Sequence, residues 1–213
     1  AEKNKYIFKE INTQRGIIYD RNFNELATND QVFNLVLKGE TTEKAILEVS
    51  KILGIDYEKL KENISENDGK KLCISENLDN KQVIVLKTRL NELDNFDLEK
   101  KNIRKYEDGY TFSHIIGYVS KDEEKGEDGV EKEYEDILKE NPGITKYERD
   151  ALNNILSEEL VKDPESGKSL ILNIDKRLQQ KSSEVLKSVV SETKATGGSV
   201  IVMNPKTGEV LTL

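Results

Sequence analysis

The chain of 213 residues carries 33 Lys+Arg against 41 Asp+Glu, a net charge of −8, with 35% hydrophobic and 35% charged residues. That length fits one large domain or two small ones. The acidic balance speaks against nucleic acid as a main partner, because phosphate binding needs a surplus of Lys and Arg. Cys73 and His114 are the only residues of their types, which excludes an intrachain disulfide, a Cys-based zinc site and a His-rich metal centre. Within these residues, no apolar run approaches the roughly 20 residues of a membrane span and no stretch reads as a signal peptide.

Residues 1–37 read as extended. Ile17-Ile18-Tyr19 leads into the turn-type cluster Asp20-Arg21-Asn22-Phe23-Asn24. Leu26-Ala27 and then Val32–Leu37 follow, predicting a hairpin and a third strand. Residues 41–104 change character. Thr41-Thr42-Glu43 starts a helix carrying Ala45, Ile46, Val49 and Ile52, which Gly54 ends. Asp56 caps a second helix. Asn67-Asp68-Gly69 is a turn, Leu72-Cys73-Ile74 a short strand, and residues 79–93 are again helical in spacing. This block is predicted to be a small α-rich lobe inserted between strands, with joints near Lys38-Gly39-Glu40 and Ile103-Arg104.

Residues 105–163 return to mixed structure. His114–Val119 is apolar, Lys121–Asp128 is a solvated loop, and Gly129 opens a helix that Asn141-Pro142-Gly143 stops. Residues 163–168 mark a domain boundary. Beyond it come a strand (170–174), an Asp175-capped helix, a second strand (199–203), the turn 204–208 and a third strand. The sheet begun there cannot bury both faces alone, so it reads as the opening of a larger domain.

Four stretches carry a resemblance: Arg15-Gly16-Ile17-Ile18-Tyr19-Asp20-Arg21-Asn22 with Leu26-Ala27; His114-Ile115-Ile116-Gly117-Tyr118-Val119; Gly129-Val130-Glu131 with Tyr134, Leu138 and Pro142-Gly143; and Leu172-Asn173-Ile174-Asp175 with Leu178-Gln179, running on to 197–211. In this order and spacing the chain resembles class B penicillin-binding proteins, of the elongation or sporulation branch. Phe23 stands where the family pattern has Gly.

The resemblance implies an α+β fold. It divides the chain into a pedestal or dimerisation domain (1–163) with the inserted α-rich lobe 41–104, and the start of a transpeptidase domain (164–213). It implies that the parent is a serine-type D,D-transpeptidase of peptidoglycan, a β-lactam target held on the outer face of the membrane by a single upstream helix. The implied partner is a glycan-polymerising membrane glycosyltransferase; no cofactor and no metal are implied.

S-x-x-K, S-x-N and K-T-G, the family's catalytic patterns, all occur: Ser191–Lys194, Ser65–Asn67 and Ser75–Asn77, and Lys206–Gly208. Their order is inverted and their spacing too short, so no residue of this chain is read as catalytic, and Lys206-Thr207-Gly208 is read as a hairpin turn. Arg15, Gly16, Asp20, Arg21, His114, Gly117, Gly129 and Glu131 are the structural or partner-facing candidates. The arginines and Asp20 are expected to hold the hairpin against its neighbours, His114 to be a buried or partly buried structural histidine, and Glu131 to be a helix-start carboxylate or a salt-bridge partner. The rival reading is a stand-alone extracytoplasmic binding or scaffold module; an S-x-x-K shortly after Leu213 would decide between the two.

Overall fold

The computed structural model describes residues 5–67, 69–121, 125–150 and 155–213. The expected turn at 67–69 and loop at 121–128 lie partly outside these. In chain order the elements are β1 (Lys5–Ile11), β2 (Ile18–Tyr19), β3 (Glu25–Lys38), α1 (Glu43–Leu53), α2 (Tyr57–Ser65), β4 (Lys71–Ser75), α3 (Asn80–Arg89) and β5 (Phe96–Tyr106). Then follow α4 (Gly109–Ile116), α5 (Gly129–Glu133), α6 (Glu135–Leu138), β6 (Gly143–Arg149), β7 (Ile155–Lys162), β8 (Leu170–Ile171), α7 (Lys176–Thr193), β9 (Val202–Met203) and β10 (Val210–Thr212). The mixture of helix and strand is as expected.

The chain forms two compact units, one of residues 30–103 and one of residues 1–29 with 104–213. The smaller contains the α-rich segment. Thr42 caps α1 by accepting from the Ala45 N–H, and Gly54 ends it at φ +68°. Asp56 caps α2, and Asp79 with Gln82 forms a reciprocal capping box on α3. These helices bury Ala45, Ile46, Val49, Leu60, Val83 and Leu86 against Leu35 and Leu37 of β3 and Phe96 of β5. The unit begins at Asp30 because Val32–Leu37 is not a separate third strand. It is the second half of β3, which runs unbroken from Glu25 and then pairs with β4.

In the larger unit, β2 pairs antiparallel with the start of β3 and parallel with β8. Ile18, Leu26, Ala27, Phe112, Ile116, Leu138 and Ile174 form its core. A second sheet has the order β1-β6-β7, joining the first and third blocks of the sequence. Every residue of β7 is exposed, with Leu156 and Leu160 among them. A third sheet is the pair β9–β10. Strands expected at 170–174 and 199–203 shorten to two residues each; β8 is no longer than β2, the strand it pairs with.

Candidate functional site

Gly16 brings Arg15 into position. A Cβ on Gly16 would lie 2.0 Å from the Lys168 carbonyl oxygen, so only glycine lets the two backbones meet. The Gly16 N–H donates to Leu138 O at 2.8 Å. Arg15 is thereby aimed at α5. Its Nε donates to Glu131 Oε2 at 2.7 Å and its Nη2 to Glu135 Oε2 at 2.6 Å. The other Glu131 oxygen, Oε1, accepts from Arg104 Nε at 2.7 Å. Arg104 Nη1 donates to Asn29 Oδ1 at 3.1 Å, and Asn29 Nδ2 donates back to Arg15 O at 2.6 Å. Glu131 is fully buried, with the Arg15 and Arg104 side chains 4% and 2% exposed.

Burial opposes the charge on Arg15, but the bonds from Glu135 and Glu131 outweigh it and hold its pKa above the ordinary arginine value. Glu135 is likewise partly desolvated, yet Arg15 and the Gly126 N–H keep its carboxyl below the usual range. Burial, helped by the Glu131 charge, pushes the Tyr106 phenol up to about 12; its oxygen accepts from the Val119 N–H.

Gly117 and Gly129 cross at the edge of this cluster. Gly117 stands at φ +73°, and a Cβ there would lie 1.9 Å from Asp128 O; one on Gly129, at φ +57°, would lie 2.6 Å from Gly117 N. The crossing places α5, and so Glu131, against the C-terminal end of α4.

Asp20 and Arg21 do not join Arg15 in one ion-pair site. Asp20 is fully buried in the β2–β3 turn. Its Oδ1 accepts from the N–H groups of Asn22 and Asn24, both at 2.8 Å, and its Oδ2 from Asn24 Nδ2 at 2.9 Å and the Lys176 N–H at 3.0 Å. Burial alone would raise its pKa; these donors outweigh burial and lower it. Arg21 donates its N–H to Ile174 O, and its half-exposed guanidinium lies 3.9 Å from Glu209. Each of the three residues thus holds the hairpin against a different segment.

His114 corrects an expectation. It is exposed, because α4 turns Phe112 and Ile116 inward and leaves His114 on the open face, lining a groove with Tyr110, Ser182 and Ser183. Arg104, Asn29 and Glu135 went unnoticed in the sequence. The available signal was chemical: in a chain whose cations are mostly Lys, an Arg marks a site needing a planar, forked donor.

The catalytic-pattern matches fall on ordinary structure. Ser191 lies in the last turn of α7 and Lys194 is its left-handed cap. Lys206–Gly208 forms the β9–β10 turn, with Gly208 at φ +77° and its N–H donating to Asn204 O. Ser65 closes α2, donating to Glu62 O. Among the described residues, no group of three or more His, Cys, Asp or Glu side chains is placed to hold a metal ion, and no helix is long and apolar enough to cross a membrane.

Comparison with known proteins places this geometry. The sequence model of the family described as Penicillin-binding Protein dimerisation domain matches residues 10–172. The peptidoglycan D,D-transpeptidase MrdA of Acinetobacter baumannii is 30% identical over 100% of this chain and 34% of its own length. The probable peptidoglycan D,D-transpeptidase PenA of Neisseria gonorrhoeae is 30% identical over 93% of this chain and 35% of its own. The chain therefore spans about a third of the length of these relatives. Among solved structures, the complex between Penicillin-Binding Protein (PBP2) and MreC from Helicobacter pylori matches with a TM-score of 0.75 and 25% identity, over 97% of this chain and 42% of that one. With relatives named as peptidoglycan D,D-transpeptidases and a family match across most of its length, the chain belongs to the penicillin-binding protein dimerisation-domain family.

Proposed function

We propose that this chain is the non-catalytic pedestal of a bacterial cell-wall D,D-transpeptidase, with the first elements of its transpeptidase domain attached. We place the join at residues 163–164, between β7 and β8, so that residues 1–163 are the pedestal. The observation that carries the reading is how the buried charges are spent. Arg15, Arg104, Glu131 and Glu135 close on one another, which shapes a scaffold and leaves none of them poised as base or nucleophile.

In the parent protein, a serine downstream of Leu213 attacks the D-Ala-D-Ala bond of a stem peptide. D-Ala departs, and the acyl-enzyme passes its acyl group to an amine of a neighbouring strand. The pedestal, anchored by an upstream membrane helix on the extracytoplasmic side, sets where that chemistry happens. It also offers a surface to a glycan-polymerising membrane glycosyltransferase. That the Helicobacter pylori neighbour was solved as a complex with MreC supports a protein partner for this kind of domain.

A fluorescent penicillin tests the reading. The parent should be labelled covalently and this chain should not. A labelled band on this chain that disappears with Ser191→Ala would place the nucleophile here, and an unlabelled parent would remove the transpeptidase.

A further inference from the structure

Gln179 lies in the first turn of α7, 5% exposed. A primary amide has two N–H donors and one oxygen with two acceptor positions, and here all four are used. Nε2 donates to Leu213 O at 2.8 Å and to Thr111 O at 3.3 Å. Oε1 accepts from the Leu213 N–H at 2.9 Å and from the Thr212 hydroxyl. Donating to the carbonyl and accepting from the N–H of one residue is what an adjacent strand does.

The neighbouring bonds extend the pattern. Val210 and Thr212 are in register with β9, while the alternate residue Leu211 gives its carbonyl to the Asp175 N–H at 2.9 Å. The start of α7 therefore stands in for a strand along β10, and the bond to Thr111 ties the same amide to α4. The first turn of α7 is also held from the hairpin, through Asp20 to the Lys176 N–H and through Asn22 Nδ2 to Asp175 Oδ2 at 3.0 Å.

A buried amide is a costly way to fill space, since an apolar side chain of similar size needs no partners. What it adds is register. A strand displaced by one residue exchanges its two faces, and the amide's paired donor and acceptor on Leu213, with the Asp175 N–H on Leu211 O, hold β10 in its register.

We propose that Gln179 is a positioning residue of the transpeptidase. It ties β10 and α7 to α4 of the pedestal through Thr111, and so sets the orientation of the sheet that β10 enters. This rests on the reading above that β10 belongs to a catalytic domain. Misplacement of reacting groups by about 1 Å costs on the order of 100-fold in rate, so a loosened β10 is felt at a distance.

The experiment uses the full-length parent and a fluorescent penicillin, with acylation resolved into a saturation constant and a limiting rate, well below each variant's melting temperature. Gln179→Leu keeps the volume and removes the four bonds. Its limiting rate is expected to fall about tenfold with the saturation constant unchanged, because the side chain touches no ligand. Gln179→Glu should recover rate as pH is lowered, since a protonated carboxyl regains a donor for Leu213 O, while Gln179→Leu shows no such recovery. A wild-type limiting rate in Gln179→Leu, or a change confined to the saturation constant, overturns the proposal. If Gln179→Leu does not fold, Thr212→Val decides: a several-fold slower limiting rate is expected, and an unchanged rate overturns it. A wild-type parent that penicillin never acylates overturns the functional reading itself, and this inference with it.

Discussion

Glu131 commits its two oxygens to two different guanidinium groups, Arg15 and Arg104, with no water access to soften the loss of either. Breaking a buried pair by removing one partner typically costs about 3–5 kcal/mol, whereas replacing the whole group with apolar residues is often close to neutral. Glu131→Gln is therefore expected to destabilise the isolated chain by about 3–5 kcal/mol in urea unfolding. The triple change Arg15→Met, Glu131→Leu, Arg104→Met should cost less than the single one. A triple variant worse than Glu131→Gln would give the ion cluster a stabilising role of its own. At this scale the sequence was half legible. Glu131 could be named from its place at a helix start, and Arg15 from its motif. Their meeting could not be, because it joins residues 116 positions apart, and Arg104 sits in a polar strand that nothing local singles out.

Among the elements, the β2–β3 hairpin shows how a turn survives an unfavourable residue. Phe23 takes φ +61°, where a side chain costs roughly 1–2 kcal/mol. It does so because the Asp20 carboxylate holds the turn from inside and reaches across to the first N–H of α7. The lowered pKa of Asp20 gives that link a pH signature. A carboxyl depressed in the folded state adds stability that is fully present above its unfolded value of about 3.9 and is lost as pH falls through its folded value. Urea midpoints measured downward from pH 7 should therefore decline on the acid side, and Asp20→Asn, weaker at neutral pH, should decline less. Glu135 acts in the same direction, so the slope should shrink without vanishing. Equal slopes in the two proteins would place the acid sensitivity elsewhere. The same contrast explains which elements were legible. The amphipathic helices α1 to α3 and α7 carry their caps beside them. Strand β7 has no buried face to impose alternation, and β5 and β6 are mostly half-buried, so pairing rather than pattern defines them, β5 with β3, β6 with the distant β1 and β7 with the neighbouring β6.

For the whole molecule, the α-rich segment was visible as a change in periodicity, but its first edge was not. A strand that serves two compact units reads as one strand, and the unit border at Asn29–Asp30 lies inside β3 without any Gly or Pro to announce it. The second border, Ile103–Arg104, likewise lies inside a strand, β5, about ten residues after the helical spacing ends. Exposed apolar side chains occur along the whole sequence, from Tyr6 and Phe8 in β1 through Leu156 and Leu160 in β7 to Val185, Val189, Ile201 and Met203.

The contact between Asn29 Oδ1 and Arg104 Nη1, 3.1 Å apart, has a genetic consequence. These two residues flank the whole smaller unit in sequence and touch in space, so the chain departs and returns through one doorway. Such an insert is a cassette. It can be lengthened, shortened or exchanged between relatives without cutting the host's own core, because closing a short gap costs little chain entropy. Deleting residues 30–103 and bridging Asn29 to Arg104 with a short Gly-containing linker should leave a protein that melts in a single cooperative step and still protects the amides of β2 and α4 from hydrogen exchange. A deletion product without a cooperative transition would mean that the host needs its guest to fold.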